Sequence, residues 1–263
     1  MKKIIIFTKP DSRYREFIET AESLVKNILW IVPEESDIFN MNNLLDPTCN
    51  NNIISHPRKK DIMFDIFART VSLYSNCIIS FYYNRIIQES VLGTMRFKFN
   101  FHGSLLPDYA GSHALNWQVL RGETKTGVTV HELTNKIDTG RIVLQKSFDI
   151  HEDHTATDVL LGGVHVSCEL LNELLSRITG DKLEYSKNTL KGDEFECVKR
   201  TEKDGEITTV MSPTDIVNLS KALVHPWPGV YYMLHGKKYI IRRVLSENDA
   251  SNILEKLNHG KKT

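Results

Sequence analysis

Apolar residues in this chain recur at two alternating spacings, and together the spacings predict an α/β fold. Residues 4–7 form a short β-branched run that closes in the turn Thr8-Lys9-Pro10-Asp11. Phe17, Ile18, Ala21, Leu24, Val25 and Ile28 then recur at helical spacing, and residues 29–32 read as the next strand. The Asn-rich stretch 40–52 reads as an irregular loop. Ile62, Ile66, Phe67, Thr70 and Val71 make a second helix, which leads into an apolar strand over 77–81. Continuous apolar strands alternating with amphipathic helices imply a mostly parallel sheet covered on both faces, a Rossmann-like arrangement.

Residues 97–101 alternate as a strand does, so Asn100 and His102, two apart, point the same way. A short helix over 113–120 and strands over 127–131 and 142–148 follow. Thr155 and Asp158 have the spacing of a capping box, and the apolar positions from Leu160 to Ile178 continue as one long helix that ends at Gly180. Near residue 186 the chain turns polar. A helix over 213–223 and a hairpin, with strands over 230–234 and 239–244 about Gly236, complete a small C-terminal segment. The expected division is therefore 1–185 and 186–263, with a mobile charged tail from Glu255. No period of repeat length recurs.

Charge and cysteine usage narrow the function classes. Lys plus Arg and Asp plus Glu both number 33, so no global basic field recruits nucleic acid. Cys49, Cys77, Cys168 and Cys197 lack the paired spacing of a zinc site or redox dithiol, and His151-Glu152-Asp153-His154 lacks the helical frame that sets two imidazoles on one face. No metal is expected. The first β–α turn has no G-x-G-x-x-G, so no dinucleotide cradle is expected either. The N-terminal apolar run ends too early for a signal peptide, and no run reads as long enough to span a bilayer. A cytoplasmic protein is expected.

The richest stretch is Asn100-Phe101-His102-Gly103-Ser104-Leu105-Leu106-Pro107, with Asp138 following in Ile137-Asp138-Thr139-Gly140. An amide donor, an imidazole and a carboxylate suit acyl transfer to an amine. The Asn N–H steadies an oxyanion, the His shuttles a proton, and the Asp orients the His and receives charge.

The surrounding words are Tyr83-Asn84-Arg85-Ile86-Ile87, Tyr109-Ala110-Gly111, Leu115-Asn116-Trp117, Gly122-Glu123-Thr124 and the run Thr126 through His131. In this order, from about residue 80 to 150, they resemble the folate-dependent formyltransferase superfamily. The resemblance implies a formyltransferase domain with Asn100, His102 and Asp138 as catalytic trio. It also implies 10-formyltetrahydrofolate as donor, its pterin beside Arg85, Ile86, Ile87, Thr134, Ile137 and Asp138.

Pro226-Trp227-Pro228-Gly229 and Gly236-Lys237-Lys238 are similar to the C-terminal region of the sugar-nucleotide and methionyl-tRNA branches. The short, charge-balanced remainder favours the former. The implied reaction is N-formylation of an amino sugar carried on UDP, dTDP or GDP, a step of the kind used in lipopolysaccharide biosynthesis. A methionyl-tRNA formyltransferase or a non-catalytic binding protein are the alternatives. Ser104, Tyr109, Gly111 and Trp227 are the candidate substrate contacts. The usual Tyr-Arg-Gly is Tyr109-Ala110-Gly111 here, which removes one cation. An exposed hairpin edge implies a homodimer, and neither nucleic acid nor membrane is an expected partner.

Overall fold

A computed structural model describes residues 3–49, 51–58, 63–189 and 195–259. The elements in chain order are β1 (Lys3–Phe7), α1 (Arg15–Leu24), β2 (Asn27–Val32), α2 (Ser36–Asn42), β3 (Asn52–Ser55), α3 (Phe64–Tyr74), β4 (Cys77–Phe81), α4 (Glu89–Leu92) and β5 (Phe97–His102). They continue as β6 (Ala110–Gly111), α5 (Ala114–Leu120), β7 (Lys125–Glu132), β8 (Ile142–Asp149), α6 (Ala156–Thr179), β9 (Glu196–Cys197), α7 (Pro213–Ala222), β10 (Val230–Leu234), β11 (Lys237–Ile241) and α8 (Glu247–His259).

Seven strands form the main sheet in the order β3-β2-β1-β4-β5-β7-β8. The pairs from β3 through β5 are parallel, and β7 runs antiparallel to β5. The fold is thus α/β with a mixed, mostly parallel sheet, as expected. Every residue of the central strand β4 is buried, which is why its sequence is apolar at every position but Ser80 rather than alternating. One core layer gathers Ile5, Phe7, Leu29, Ile31, Phe67, Val71, Ile78 and Val91.

By packing, the chain forms two compact units that interleave along the sequence. The first takes 1–107, 127–147 and 163–193; the second takes 108–126, 148–162 and 194–263. The expected division at 185/186 is, by contrast, a single cut along the chain. Within the second unit, α7 packs on both α5 and α8, and its core joins Ile216, Leu219, Leu223, Val230, Tyr232, Ile253 and Leu257. The hairpin β10–β11 turns through His235 and Gly236, both at positive φ (48° and 72°), the requirement of a two-residue primed turn.

Several sequence expectations needed correction. Val25 caps α1 and Ile28 lies in β2, so neither belongs to the helix. The stretch read as loop over 40–52 holds the end of α2 and the first residue of β3, a short strand whose apolar core is only Ile53 and Ile54. Ile62 lies outside the described residues. Through His259 the tail read as mobile is the end of α8, anchored by buried Ala250, Ile253 and Leu257. α6 is long and apolar enough to cross a bilayer, contrary to expectation, yet 56% of its apolar window is buried inside the protein, the state of a core helix. Its capping box forms as read, with Thr155 N–H and Oγ1 both donating to Asp158 Oδ2 at 2.8 and 2.6 Å.

Candidate active site

Asn100 and His102 project from the end of β5, where Asn100 faces His131 and His102 faces Thr129 across the antiparallel pair with β7. The turn after β5 is braced by one hydroxyl. Thr129 Oγ1 donates to Ser104 O at 2.6 Å and accepts from Leu106 N–H at 3.1 Å and from Gln145 Nε2 at 2.8 Å, while Gln145 also donates to Leu106 O at 2.9 Å. The Leu106–Pro107 peptide is cis. Such saturation fixes the strand end and, with it, the direction in which His102 leaves the sheet.

Asp138 arrives on the loop between β7 and β8. It adopts φ 50°, a left-handed conformation that Asp tolerates better than most residues. Asn188 holds the loop from behind, Nδ2 donating to Asp138 O at 2.8 Å. Gly140 lets the loop close on β7, because a Cβ there would fall 1.7 Å from Glu132 O.

The result is one compact polar cluster. Asp138 Oδ2 lies 3.3 Å from His102 Nδ1 and Asp138 Oδ1 lies 3.3 Å from His131 Nε2. Asn100 Nδ2 sits 3.1 Å from His131 Nε2 and 3.5 Å from Asp138 Oδ1. His102 and Asp138 side chains are each 9% exposed and His131 is 3% exposed, so water screens these interactions weakly. The three residues expected as a trio are brought together.

His131 is the member that sequence reasoning did not place in the site. Its Nδ1 is 3.0 Å from Glu132 O; a carbonyl only accepts, so Nδ1 carries a proton. Nε2 faces both Asn100 Nδ2 and Asp138 Oδ1.

The residues expected around a pterin behave unequally. Arg85 spends its guanidinium on the backbone, Nη1 donating to Pro33 O and His56 O and Nη2 to Pro57 O at 3.2 Å. Ile87 is buried in the core, whereas Ile86 is 75% and Ile137 is 66% exposed. These two exposed isoleucines, on loops of the unit that carries the trio, offer apolar surface of the kind that a flat group such as a pterin would cover. Thr134 Oγ1 is engaged with Lys136 O at 2.9 Å. The recess that reaches Thr134, about 260 Å³, is lined mostly by polar residues including Glu89, Lys98 and Glu132.

Nearby, His56 is buried between Tyr83 OH (2.7 Å from Nδ1) and Gln88 Oε1 (2.9 Å from Nε2). Burial holds its pKa down to about 4.

The four candidate substrate contacts are scattered. Ser104 is fully buried beneath Thr129. Tyr109 OH donates to Glu123 and accepts from Arg121 Nε at 3.1 Å, inside the second unit. Gly111, at φ 105°, lets β6 approach β9, since a Cβ would meet Cys197 O at 2.4 Å; that requirement is structural. Trp227 lines a cavity of the second unit. His151 and His154 form a turn, His154 N–H donating to His151 O at 3.0 Å. Among the described residues no group of three or more His, Cys, Asp or Glu could hold a metal ion.

Residues 2–170 match the model of the formyl transferase family. The chain belongs to that family. It is 41% identical over 172 residues to the bifunctional polymyxin resistance protein ArnA of Wigglesworthia glossinidia brevipalpis, a match covering 64% of this chain and 26% of that protein. The chain thus spans about a quarter of the length of that relative. Among solved structures it resembles a 4-N formyltransferase from Francisella tularensis, with TM-score 0.73 and 17% identity over 93% of this chain and 98% of that one. It also resembles WlaRD, a sugar 3N-formyl transferase studied with dTDP and 5-N-formyl-THF, with TM-score 0.65 and 18% identity over 90% and 84%. At such identities the structural likeness establishes the formyltransferase fold.

Proposed function

We propose that this protein transfers a formyl group from 10-formyltetrahydrofolate to the amine of a nucleotide-linked amino sugar, the nucleotide being UDP, dTDP or GDP. The observation that carries the reading is the Asp138 carboxylate held between two imidazoles beside the Asn100 amide, in a member of the formyl transferase family. The relatives support the acceptor class: two are sugar or 4-N formyltransferases and one was studied with dTDP.

The donor supplies an activated formyl carbon and departs as tetrahydrofolate. Attack by a neutral amine places negative charge on the formyl oxygen, where the Asn100 N–H and the His102 imidazole stabilise it. With Nδ1 facing Asp138, proton exchange at His102 runs through Nε2. The proton shed by the attacking nitrogen would be received by the Asp138–His102 pair and delivered to N10 of the donor as the bond from the formyl carbon to N10 breaks, which releases tetrahydrofolate. Arg85, Ile86, Ile87, Thr134, Ile137 and Asp138 are assigned to the pterin: Ile86 and Ile137 by contact, Arg85 by fixing the loop through which backbone groups reach it.

The enzyme is assigned to the cytoplasm, with no nucleic acid or membrane partner, and to a homodimer. Met233, Tyr239, Ile240 and Val244 keep apolar surface exposed on and beside the hairpin, which a second subunit would cover; light scattering tests the assembly. The decisive experiment is a mass-spectrometric screen of UDP-, dTDP- and GDP-linked amino sugars with 10-formyltetrahydrofolate. A formyl mass increment on at least one is expected. No increment on any, with formylation of methionyl-tRNA instead, refutes the reading.

A further inference from the structure

The loop that carries Ile86 runs over residues 82–88, between β4 and α4, and a histidine that no step of the transfer uses holds both of its ends. His56 follows β3 directly and is only 2% exposed. Its Nδ1 lies 2.7 Å from Tyr83 OH, near the start of the loop, and its Nε2 lies 2.9 Å from Gln88 Oε1, at the finish. Burial keeps the ring neutral. A carboxamide oxygen only accepts and a hydroxyl can donate, so a single neutral imidazole serves both neighbours at once. The ring has little room to move, because it stacks on Phe67 at a centroid distance of 5.0 Å and meets Phe7 edge-on at 5.6 Å. Its backbone N–H donates to Val32 O at 2.8 Å, which ties it to the end of β2.

Arg85 fastens the middle of the same loop, its guanidinium donating to Pro33 O, His56 O and Pro57 O. Ile87 is buried beside it, and Ile86 is left 75% exposed. Loop side chains are ordinarily mobile. One presented by a loop held at 83, 85 and 88 has already lost that freedom, so a ligand that covers it loses less entropy on binding. We propose that His56 is a positioning residue for the formyl donor: by joining the two ends of loop 82–88 it holds Ile86 where the pterin covers it. The inference rests on the donor site proposed above. It goes beyond that site in assigning part of the donor's affinity to a side chain buried too deeply to touch the donor or the reacting atoms. A residue that only fills the core sets stability; a positioning residue also sets the affinity of the folded protein.

The test is calorimetric titration of the full chain with 5-formyltetrahydrofolate, at a temperature where circular dichroism shows each variant folded. His56→Ala is expected to raise Kd about tenfold, and Tyr83→Phe, which keeps the ring and removes only the hydroxyl, about threefold. If His56→Ala does not fold, Tyr83→Phe decides alone. Because the effect runs through Ile86, either change made on top of Ile86→Ala should weaken binding by no more than about twofold beyond Ile86→Ala itself. Unchanged Kd in the variants, with only lower unfolding midpoints, overturns the proposal. So do losses that simply add to that of Ile86→Ala, which would place the action of His56 elsewhere. Wild-type protein that takes up no 5-formyltetrahydrofolate refutes the donor reading and this inference with it, whereas wild type and variants that bind it equally refute the positioning role alone.

Discussion

The Asp138 cluster and Arg200, which lines the cavity of the second unit, each bury a charge, and their surroundings differ. Asp138 faces two imidazoles and an amide, with its own carbonyl tied by Asn188. Arg200 keeps two buried donors without acceptors. A charge with partners already in place is positioned for chemistry within the protein, because little must reorganise when a proton moves. Arg200 is partnered on one side only, Nη2 donating to Asp204 O at 2.6 Å and the guanidinium lying 4.7 Å from the Trp117 ring centroid.

The comparison breaks first if the partnered charge proves dispensable. His102→Ala and Asp138→Asn should each lower turnover by about 10²–10⁴-fold, the usual range for a proton-handling group, with circular dichroism showing a native fold. Near-normal turnover in either variant would remove the cluster from the chemistry. Asn100→Ala should cost about 10²–10³-fold in turnover as the loss of an oxyanion donor, measured on the same acceptor.

A smaller perturbation sharpens the comparison by moving the carboxylate without deleting it. Gly140→Ala places a Cβ 1.7 Å from Glu132 O, so the loop must retreat. A loss of about 1–3 kcal/mol in denaturant unfolding is expected, together with reduced turnover while Asn100 and His102 remain in place. Unchanged stability would show that the loop's close approach is not required.

The smallest effect concerns a second partnered histidine. His56 is held at about 4 in the folded protein against 6.5 unfolded, so between those values the unfolded chain binds more protons. Its contribution is present above pH 6.5 and is lost as the pH falls towards 4. Unfolding midpoints measured across that window should drop on acidification, and the part due to this residue should vanish in His56→Gln. An identical pH slope in that variant would assign the acid sensitivity elsewhere.

How much of this was legible in the sequence depends on where the determining contacts lie. β4, β5 and α6 were readable because each carries its own periodicity, and Asn100 and His102 could be paired because strand alternation is local. His131 was not placed in the site, since its role appears only when β7 is set antiparallel to β5 in a register that puts it opposite Asn100. β3 was hidden by its length and its asparagines, and α8 by the charged residues around Ala250, Ile253 and Leu257. The Arg200 cavity was invisible for a different reason. Its residues come from α5, the polar segment after β9 and the turn before β10, and no short motif encodes an empty volume.

The interleaving of the two units carries a consequence for how this protein can be taken apart. The chain leaves the first unit after residue 107, re-enters it at 127, leaves again after 147, and returns at 163 before departing for the last time after 193. A fragment ending at residue 185 would keep α5 but lose α7, and would keep β6 but lose β9. It would carry only residues 108–126 and 148–162 of the second unit, with none of the core drawn from residues 207–257. The second unit is therefore no detachable cassette, and any exchange with a relative must splice at several junctions at once.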